Sequence, residues 1–341
     1  MNFKQVNLKT LFFKLNQHEK FEQYRKLWHK TSAYKILTDF PLHLDIELSG
    51  ICNLKCVSCF QNGLIEGKLG FMSFDLYKQI INEGLEKGLC AIKLQIRGES
   101  FLHPNFFECI AYAKEKGILD VQVTTNGTLL NNDNIQKILD SKLDAIILSV
   151  DSHHEDSFKQ KKHLKNYTTV EQSIKSLLEQ RKKQCKLSPW VRLRSSIAKC
   201  DSNSFDRAKD YLKKKFPEAD VYIVGKIHDF RDNKDSYTDL NTNYYLAPCS
   251  YLMQRLAIFW NGDVTTCCMD YNNRFKLGNV TSQNIDDIWL SSKMNSFRKI
   301  HYDQQRSTMP ICKHCHACTK IKTDKEVQDI TKRHFMDTVN E

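Results

Sequence analysis

No stretch of the 341-residue chain approaches the roughly 18 consecutive apolar residues that a bilayer-spanning helix requires. The amino terminus, Met1-Asn2-Phe3-Lys4-Gln5, lacks both the apolar segment and the small-residue cleavage site of a signal peptide, so the expected location is the cytoplasm. The chain has no internal repeat and no low-complexity tract, which speaks against a solenoid or a linker-like chain. It also has no stripe of basic residues interleaved with aromatics. The formal net charge is +11, but the lysines fall in mixed runs such as Lys161-Lys162 and Lys213-Lys214-Lys215. That is the pattern of solvated faces, and a nucleic-acid partner is not expected.

Cysteine, by contrast, is plentiful. The chain has 13 cysteines, an odd count, and nine of them lie in two clusters, around Cys52 and from Cys249 to Cys318. Clustered thiolates in a reducing compartment point to metal, not to a disulfide scaffold. Cys90, Cys109, Cys185 and Cys200 are isolated and read as packed or incidental thiols. With 41% hydrophobic and 27% charged residues, the composition is that of a globular protein with room for one large and one small domain.

Residues 1–41 carry Leu11, Phe12, Leu15, Phe21, Tyr24 and Leu27 among polar residues, a helical lead-in that ends at Pro41. From His43 onward short apolar runs alternate with amphipathic stretches. Strands are predicted at 43–48, 91–96, 119–124, 145–150, 190–197 and 220–225. Helices are predicted at about 73–88, 104–117, 132–141, 168–184 and 203–215. Ser73 is placed to cap the first of these, whose Leu76, Tyr77, Ile80, Ile81 and Leu85 form one face. Such alternation requires right-handed crossovers and a parallel sheet, giving an α/β fold with a partial (β/α)6 TIM-like barrel whose ligands bind at the C-terminal strand ends. The repetition stops near residue 226. The expected division is a core over 42–228, a small cysteine-rich domain over 240–325 and a tail over 326–341.

After the first strand the chain reads Cys52-Asn53-Leu54-Lys55-Cys56-Val57-Ser58-Cys59, a C-x3-C-x2-C triplet. Three thiolates can hold three irons of a [4Fe–4S] cube and leave the fourth iron open to a small molecule. A structural zinc ion would want a fourth ligand, and His43 and His103 are not at a finger spacing.

This triplet, on the loop after a first strand, resembles the hallmark of the radical S-adenosylmethionine (SAM) superfamily. The resemblance implies that SAM binds the open iron, that one electron cleaves it to methionine and a 5′-deoxyadenosyl radical, and that a flavodoxin- or ferredoxin-type protein donates the electron. The later strand ends carry further motifs of the family. Arg97-Gly98-Glu99-Ser100-Phe101-Leu102-His103-Pro104 resembles its Gly-Gly-Glu segment, with Gly98 allowing close backbone approach and Glu99 accepting from the SAM ammonium. Thr125-Asn126-Gly127 resembles its Thr-Asn-Gly segment, with Asn126 lining the pocket. Ser149-Val150-Asp151 resembles its Ser-x-Asp pattern, with Ser149 at the ribose. Arg192 or Arg194 on the fifth strand could pair with the SAM carboxylate, and Arg194 is favoured. Ser58 stands where the family has an aromatic residue, with Phe60 available nearby, and Ser100 stands where it has proline.

The second cluster, Cys249, Gly262, Cys267-Cys268 and Cys312-x2-Cys315-x2-Cys318, resembles the SPASM extension and its shortened form, twitch, as do Leu277-Gly278-Asn279-Val280, Ile288-Trp289 and Arg298. Six cysteines suit one auxiliary [4Fe–4S] cluster better than two. The resemblance implies Cys249, Cys267, Cys312 and Cys315 as ligands, with Cys268 an alternative to Cys267 and Cys318 to Cys315. Zinc is the other occupant that these thiols and His314 and His316 would suit. A closed auxiliary cluster suits electron transfer, which implies substrate oxidation. The short lead-in favours a small polar or carbohydrate-type substrate over a peptide, the alternative. A non-enzymatic zinc or iron–sulfur regulator that binds nucleic acid would explain the charge and the last cysteines. It leaves the open triplet, Glu99, Asn126 and Ser149 unexplained.

Overall fold

The computed structural model describes residues 3–56, 59–61, 63, 65–150, 167–197, 203–226, 248–313 and 315. The lead-in contains β1 (Lys4–Val6), α1 (Leu8–Phe12), α2 (Gln17–Ser32) and β2 (Ile36–Thr38), with β1 and β2 paired in parallel. The alternating region follows as β3 (His43–Ile46), α3 (Phe74–Lys87), β4 (Ala91–Lys93), α4 (Phe106–Lys116), β5 (Asp120–Thr125), α5 (Asn132–Asp140), β6 (Ala145–Ser149), α6 (Tyr167–Lys183), β7 (Trp190–Ile197), α7 (Ser204–Lys215) and β8 (Val221–Lys226). The cysteine-rich region adds β9 (Arg255–Ile258), β10 (Asp263–Thr265), β11 (Gly278–Asn279), α8 (Ile285–Leu290) and α9 (Ser292–Tyr302).

Strands β3 to β8 lie in chain order and pair in parallel, the expected partial (β/α)6 barrel. The sheet then continues past β3, because β9 pairs with β3 in parallel and β10 and β11 add antiparallel strands. The cysteine-rich region is therefore hydrogen-bonded into the barrel's sheet. Its Val264, Val280, Ile285, Ile288 and Trp289 belong to the same packed core as Phe21, Tyr24 and Leu27 of α2.

Helix α3 shows why these segments fold as they do. Ser73 accepts from the Leu76 N–H at 3.2 Å, and Gly88 ends the helix in the left-handed region at φ 90°. Its Tyr77, Ile80 and Ile81 are fully buried, which contributes about 1.5–3 kcal/mol each. In the strands, alternation sorts the two faces. Leu44, Ile46, Val121, Val123, Ile146, Leu148, Val191 and Leu193 join the helix-side core. The intervening Asp45, Lys93, Gln122 and Arg192 give the other face charged and polar groups. There Asp45 is wholly buried between Lys93 at 3.1 Å and Arg255 at 3.2 Å, with the His43 ring at 3.3 Å.

Candidate active site

The cysteine triplet sits on a loop pinned at both ends. Ser49 and Phe71 form an antiparallel bridge, the Gly50 N–H donates to Gly70 O at 2.9 Å, and the Met72 N–H donates to Leu48 O at 2.9 Å. Inside the loop the Cys59 N–H donates to Cys56 O at 3.0 Å, and Gln61 Nε2 donates to Gly50 O at 2.7 Å. Cys52, Cys56 and Cys59 are half-buried thiols outside any disulfide.

The loop after β4 is laid directly on this segment. The Gly98 N–H donates to Ser49 O at 3.1 Å and the Glu99 N–H to Ile51 O at 2.9 Å. A Cβ on Gly98 would lie 2.3 Å from Ser49 O and 2.4 Å from Ile51 O, so glycine is needed there for space. The Glu99 carboxylate is buried and accepts from Thr125 Oγ1 at 2.8 Å and from the Asn126 N–H at 2.8 Å. Asn126 reaches the other way as well, with Nδ2 2.9 Å from Asn53 Oδ1 and 4.0 Å from Cys52 Sγ. The ends of β3, β4 and β5 thus share one hydrogen-bonded network that includes Cys52, Gly98, Glu99 and Asn126.

Ser149 and Arg194 are register partners on β6 and β7, which places them on the same sheet face. Arg194 is exposed, whereas Arg192 is half-buried and donates to Gln122 Oε1 at 3.4 Å. Arg192 is thereby engaged lower on the sheet, leaving Arg194 as the arginine beside Ser149. Asp151 lies outside the described residues.

Sequence reasoning missed Glu47. Its fully buried carboxylate holds the Arg97 guanidinium through two bonds, at 2.7 and 2.6 Å, and accepts from the Trp260 N–H at 3.2 Å. Glu47 directly follows β3 between Ile46 and Leu48, and a carboxylate flanked by apolar residues was the one signal available. Phe60 is the aromatic residue available near Ser58. Its ring is stacked on Tyr271 of the cysteine-rich region, with centroids 4.8 Å apart and planes 5° apart.

The second cysteine cluster gathers around Cys267. Burial raises the Cys267 thiol well above its ordinary value, and the neighbouring Cys268, Cys315, Cys249 and Cys312 raise it further. Cys312 is pushed up to about 12 by burial and by Cys249 and Cys315, against the lowering effect of Arg306. Cys268 packs against the small apolar group Ile96, Ala257 and Phe259. The buried surroundings are specific as well. Tyr34 Oη donates to Cys249 O at 2.7 Å, the Cys249 N–H donates to His301 Nδ1 at 3.1 Å, and the buried Arg306 donates to Cys312 O at 3.2 Å and to Cys315 O. Cys318, His314 and His316 lie outside the described residues.

Thiols whose deprotonation is opposed by burial and by one another are suited to a cationic centre, since bound metal reverses that balance. Among the described residues no three histidine, cysteine, aspartate or glutamate side chains converge as the ligands of one ion would. The thiolates of a cube each bind a separate iron and need not do so. Donor sets made of thiols alone are the kind that iron–sulfur clusters take.

A barrel with a three-cysteine loop at its C-terminal rim defines a class of cluster-bearing enzyme, and comparison with known proteins specifies it. The radical SAM superfamily matches residues 46–188, and the iron–sulfur cluster-binding domain SPASM matches residues 249–316. Residues 46–188 thus form a radical SAM domain, and residues 249–316 a C-terminal SPASM domain. These domains bring SAM, a [4Fe–4S] cluster and auxiliary iron–sulfur binding. The chain is 32% identical over 169 residues to a probable GTP 3′,8-cyclase of Methanococcus maripaludis, a match that covers 50% of this chain and spans about half, 54%, of that relative. In fold it is similar to BtrN in complex with AdoMet and 2-DOIA (TM-score 0.53, 17% identity, 82% of this chain and 96% of that one). It is similar also to Streptococcus suis SuiB bound to the precursor peptide SuiA (TM-score 0.59, 15% identity, 87% of this chain and 74% of that one).

Proposed function

We propose that this protein is an oxidising radical SAM enzyme acting on a small polar, carbohydrate-type molecule. With SAM, the cluster on Cys52, Cys56 and Cys59 supplies one-electron cleavage of the sulfur–carbon bond and so a 5′-deoxyadenosyl radical that takes hydrogen from the substrate. The observation that carries this reading is the network joining Cys52, Gly98, Glu99 and Asn126 across three strand ends.

In this reading Glu99 accepts from the SAM ammonium, and its bonds to Thr125 and Asn126 hold it at one angle. Gly98 lets the SAM loop and the cysteine loop touch. Asn126 fixes the pocket wall, Ser149 bonds the ribose hydroxyls, Asp151 completes the set of cofactor-binding residues, and Arg194 pairs with the SAM carboxylate. Cys249, Cys267, Cys312 and Cys315 hold one auxiliary [4Fe–4S] cluster, with Cys318 in reserve for Cys315. The position of Cys268 against Ile96 and Phe259, and of Cys267 among the other thiols, favours Cys267 over Cys268. Residues 42–228 form the catalytic core, 240–325 the auxiliary domain, 1–41 a lead-in and 326–341 a tail.

The fold shared with BtrN, whose structure holds AdoMet and 2-DOIA, supports the small-molecule reading. A peptide substrate is the second reading, supported by the fold shared with peptide-bound SuiB. No helix among the described residues is long and apolar enough to cross a membrane. We place the enzyme in the cytoplasm with a flavodoxin- or ferredoxin-type donor.

The test is anaerobic reconstitution, with about eight irons expected per chain, followed by dithionite-driven SAM cleavage. Cys56→Ala should abolish 5′-deoxyadenosine formation, and a Cys56→Ala protein that still cleaves SAM would defeat the proposal. Mass spectrometry of products from polyols and aminocyclitols, set against peptides, separates the two substrate readings.

A further inference from the structure

Resting on the SAM-site reading above, we propose that Arg97 is a positioning residue through which the cysteine-rich domain sets the geometry of the SAM loop. Arginine stands directly before Gly98-Glu99, where the family resemblance has glycine, and its side chain turns away from the SAM loop into a built socket. Glu47 grips the guanidinium through two bonds, the Phe259 ring lies under it with the guanidinium carbon 4.1 Å from the ring centroid, and Nη1 donates to Tyr271 O at 3.0 Å. These contacts join Arg97 to both sides of the boundary, two to Glu47 of the barrel and one each to Phe259 and Tyr271 of the cysteine-rich region.

The far side of the cysteine loop is held by the same wall. Tyr271 stacks on Phe60, the residue after Cys59. Trp260 packs so closely that a Cβ on Gly70 would lie 2.8 Å from its ring and one on Gly50 would lie 3.2 Å away. The Glu66 N–H donates to Asn272 Oδ1 at 3.1 Å, and Arg274 lies 3.5 Å from the Glu66 carboxylate. Tyr271, Asn272 and Arg274 lie three to six residues beyond Cys268 on the same loop. A planar guanidinium held at four points is a rigid link, and a lysine cannot span carboxylate and carbonyl in the same way. Movement at the auxiliary ligands is therefore passed to Arg97, and from Arg97 to the adjoining Gly98 and Glu99, by packed and hydrogen-bonded contact.

The experiment is a double-mutant cycle on SAM affinity, measured by equilibrium binding to the reconstituted protein. Arg97→Lys and Cys312→Ser should each weaken SAM binding about five- to tenfold, within the usual range of site-to-site coupling. Together they should weaken it no more than either alone. Tyr271→Ala, which keeps the backbone carbonyl that Arg97 uses but removes the ring stacked on Phe60, should give the same loss, and Tyr271→Phe should restore affinity by keeping that ring. Additive losses, or unchanged affinity in Arg97→Lys and Tyr271→Ala, would overturn the link while leaving the SAM enzyme intact. Failure of the unsubstituted holoprotein to bind SAM would overturn both.

Discussion

Replacing Gly98 by alanine is the sharpest perturbation of the site, because the obstruction is backbone on both sides. The added methyl carbon would lie 2.3 Å from Ser49 O, 2.4 Å from Ile51 O and 2.7 Å from Gly50 C. Real contacts of this kind stay beyond 3.0 Å, so the two loops must part by at least 0.7 Å. Neither carbonyl is the end of a flexible side chain that could swing aside. The φ of Gly98 lies outside the left-handed region, so the penalty is one of space alone. Separation weakens the Gly98–Ser49 and Glu99–Ile51 hydrogen bonds and shifts Cys52 relative to Glu99. Overpacking of this kind costs about 1–3 kcal/mol of stability, and displacement of reacting groups on the order of 1 Å costs about 10²-fold in rate. Gly98→Ala should therefore lower Tm by a few degrees and reduce dithionite-dependent 5′-deoxyadenosine formation by roughly 10²-fold at full iron content. Gly225→Ala is the control, since a Cβ there meets nothing within 4 Å. If Gly98→Ala matches that control in both measurements, the close approach does not set the site.

Cys312→Ala should retain SAM cleavage at saturating SAM while losing oxidised product, and a preserved ratio of product to 5′-deoxyadenosine would count against an electron-transfer role for the auxiliary cluster. Glu47→Ala leaves the Arg97 guanidinium buried without its carboxylate and should cost about 3–5 kcal/mol, read from the urea midpoint; a change under 1 kcal/mol would refute that burial account. Stability should also fall on mild acidification. Burial lowers the pKa of His43, with Arg255 adding to it, and burial likewise lowers that of His103, so both rings stay neutral in the native state. The unfolded chain binds those protons near pH 6.5, so below about that value the unfolded state gains more protons and is favoured. The urea midpoint of the holoprotein should be level from about pH 8 to 7 and decline from about 6.5 downward; a midpoint that rises on acidification would contradict the burial of these rings.

Local pattern was enough for much of this protein. The strands and helices of the barrel fall within a few residues of their expected bounds because each had to bury one apolar face, and period 2 or 3.6 marks that face along the chain. Gly88 and Ser73 close α3 for reasons contained in their own side chains. The cysteine triplet and the motifs at the later strand ends were likewise readable, since each lies within a few consecutive residues. The short strands β1 and β2 were not, because two three-residue segments about thirty positions apart have no period to reveal them.

What tertiary structure alone decided is partnership. Nothing in the sequence couples Glu47 to Arg97, Phe60 to Tyr271, or β9 to β3, because each pairing joins residues 50 to about 210 positions apart through complementary shape and charge. Cys267 and Cys268 are chemically identical in sequence, and only the direction each side chain takes sets the first among the other thiols and the second against Ile96 and Phe259. Residue type and spacing set which chemistry the chain can perform, whereas the burial of a few distant charges sets where those groups stand.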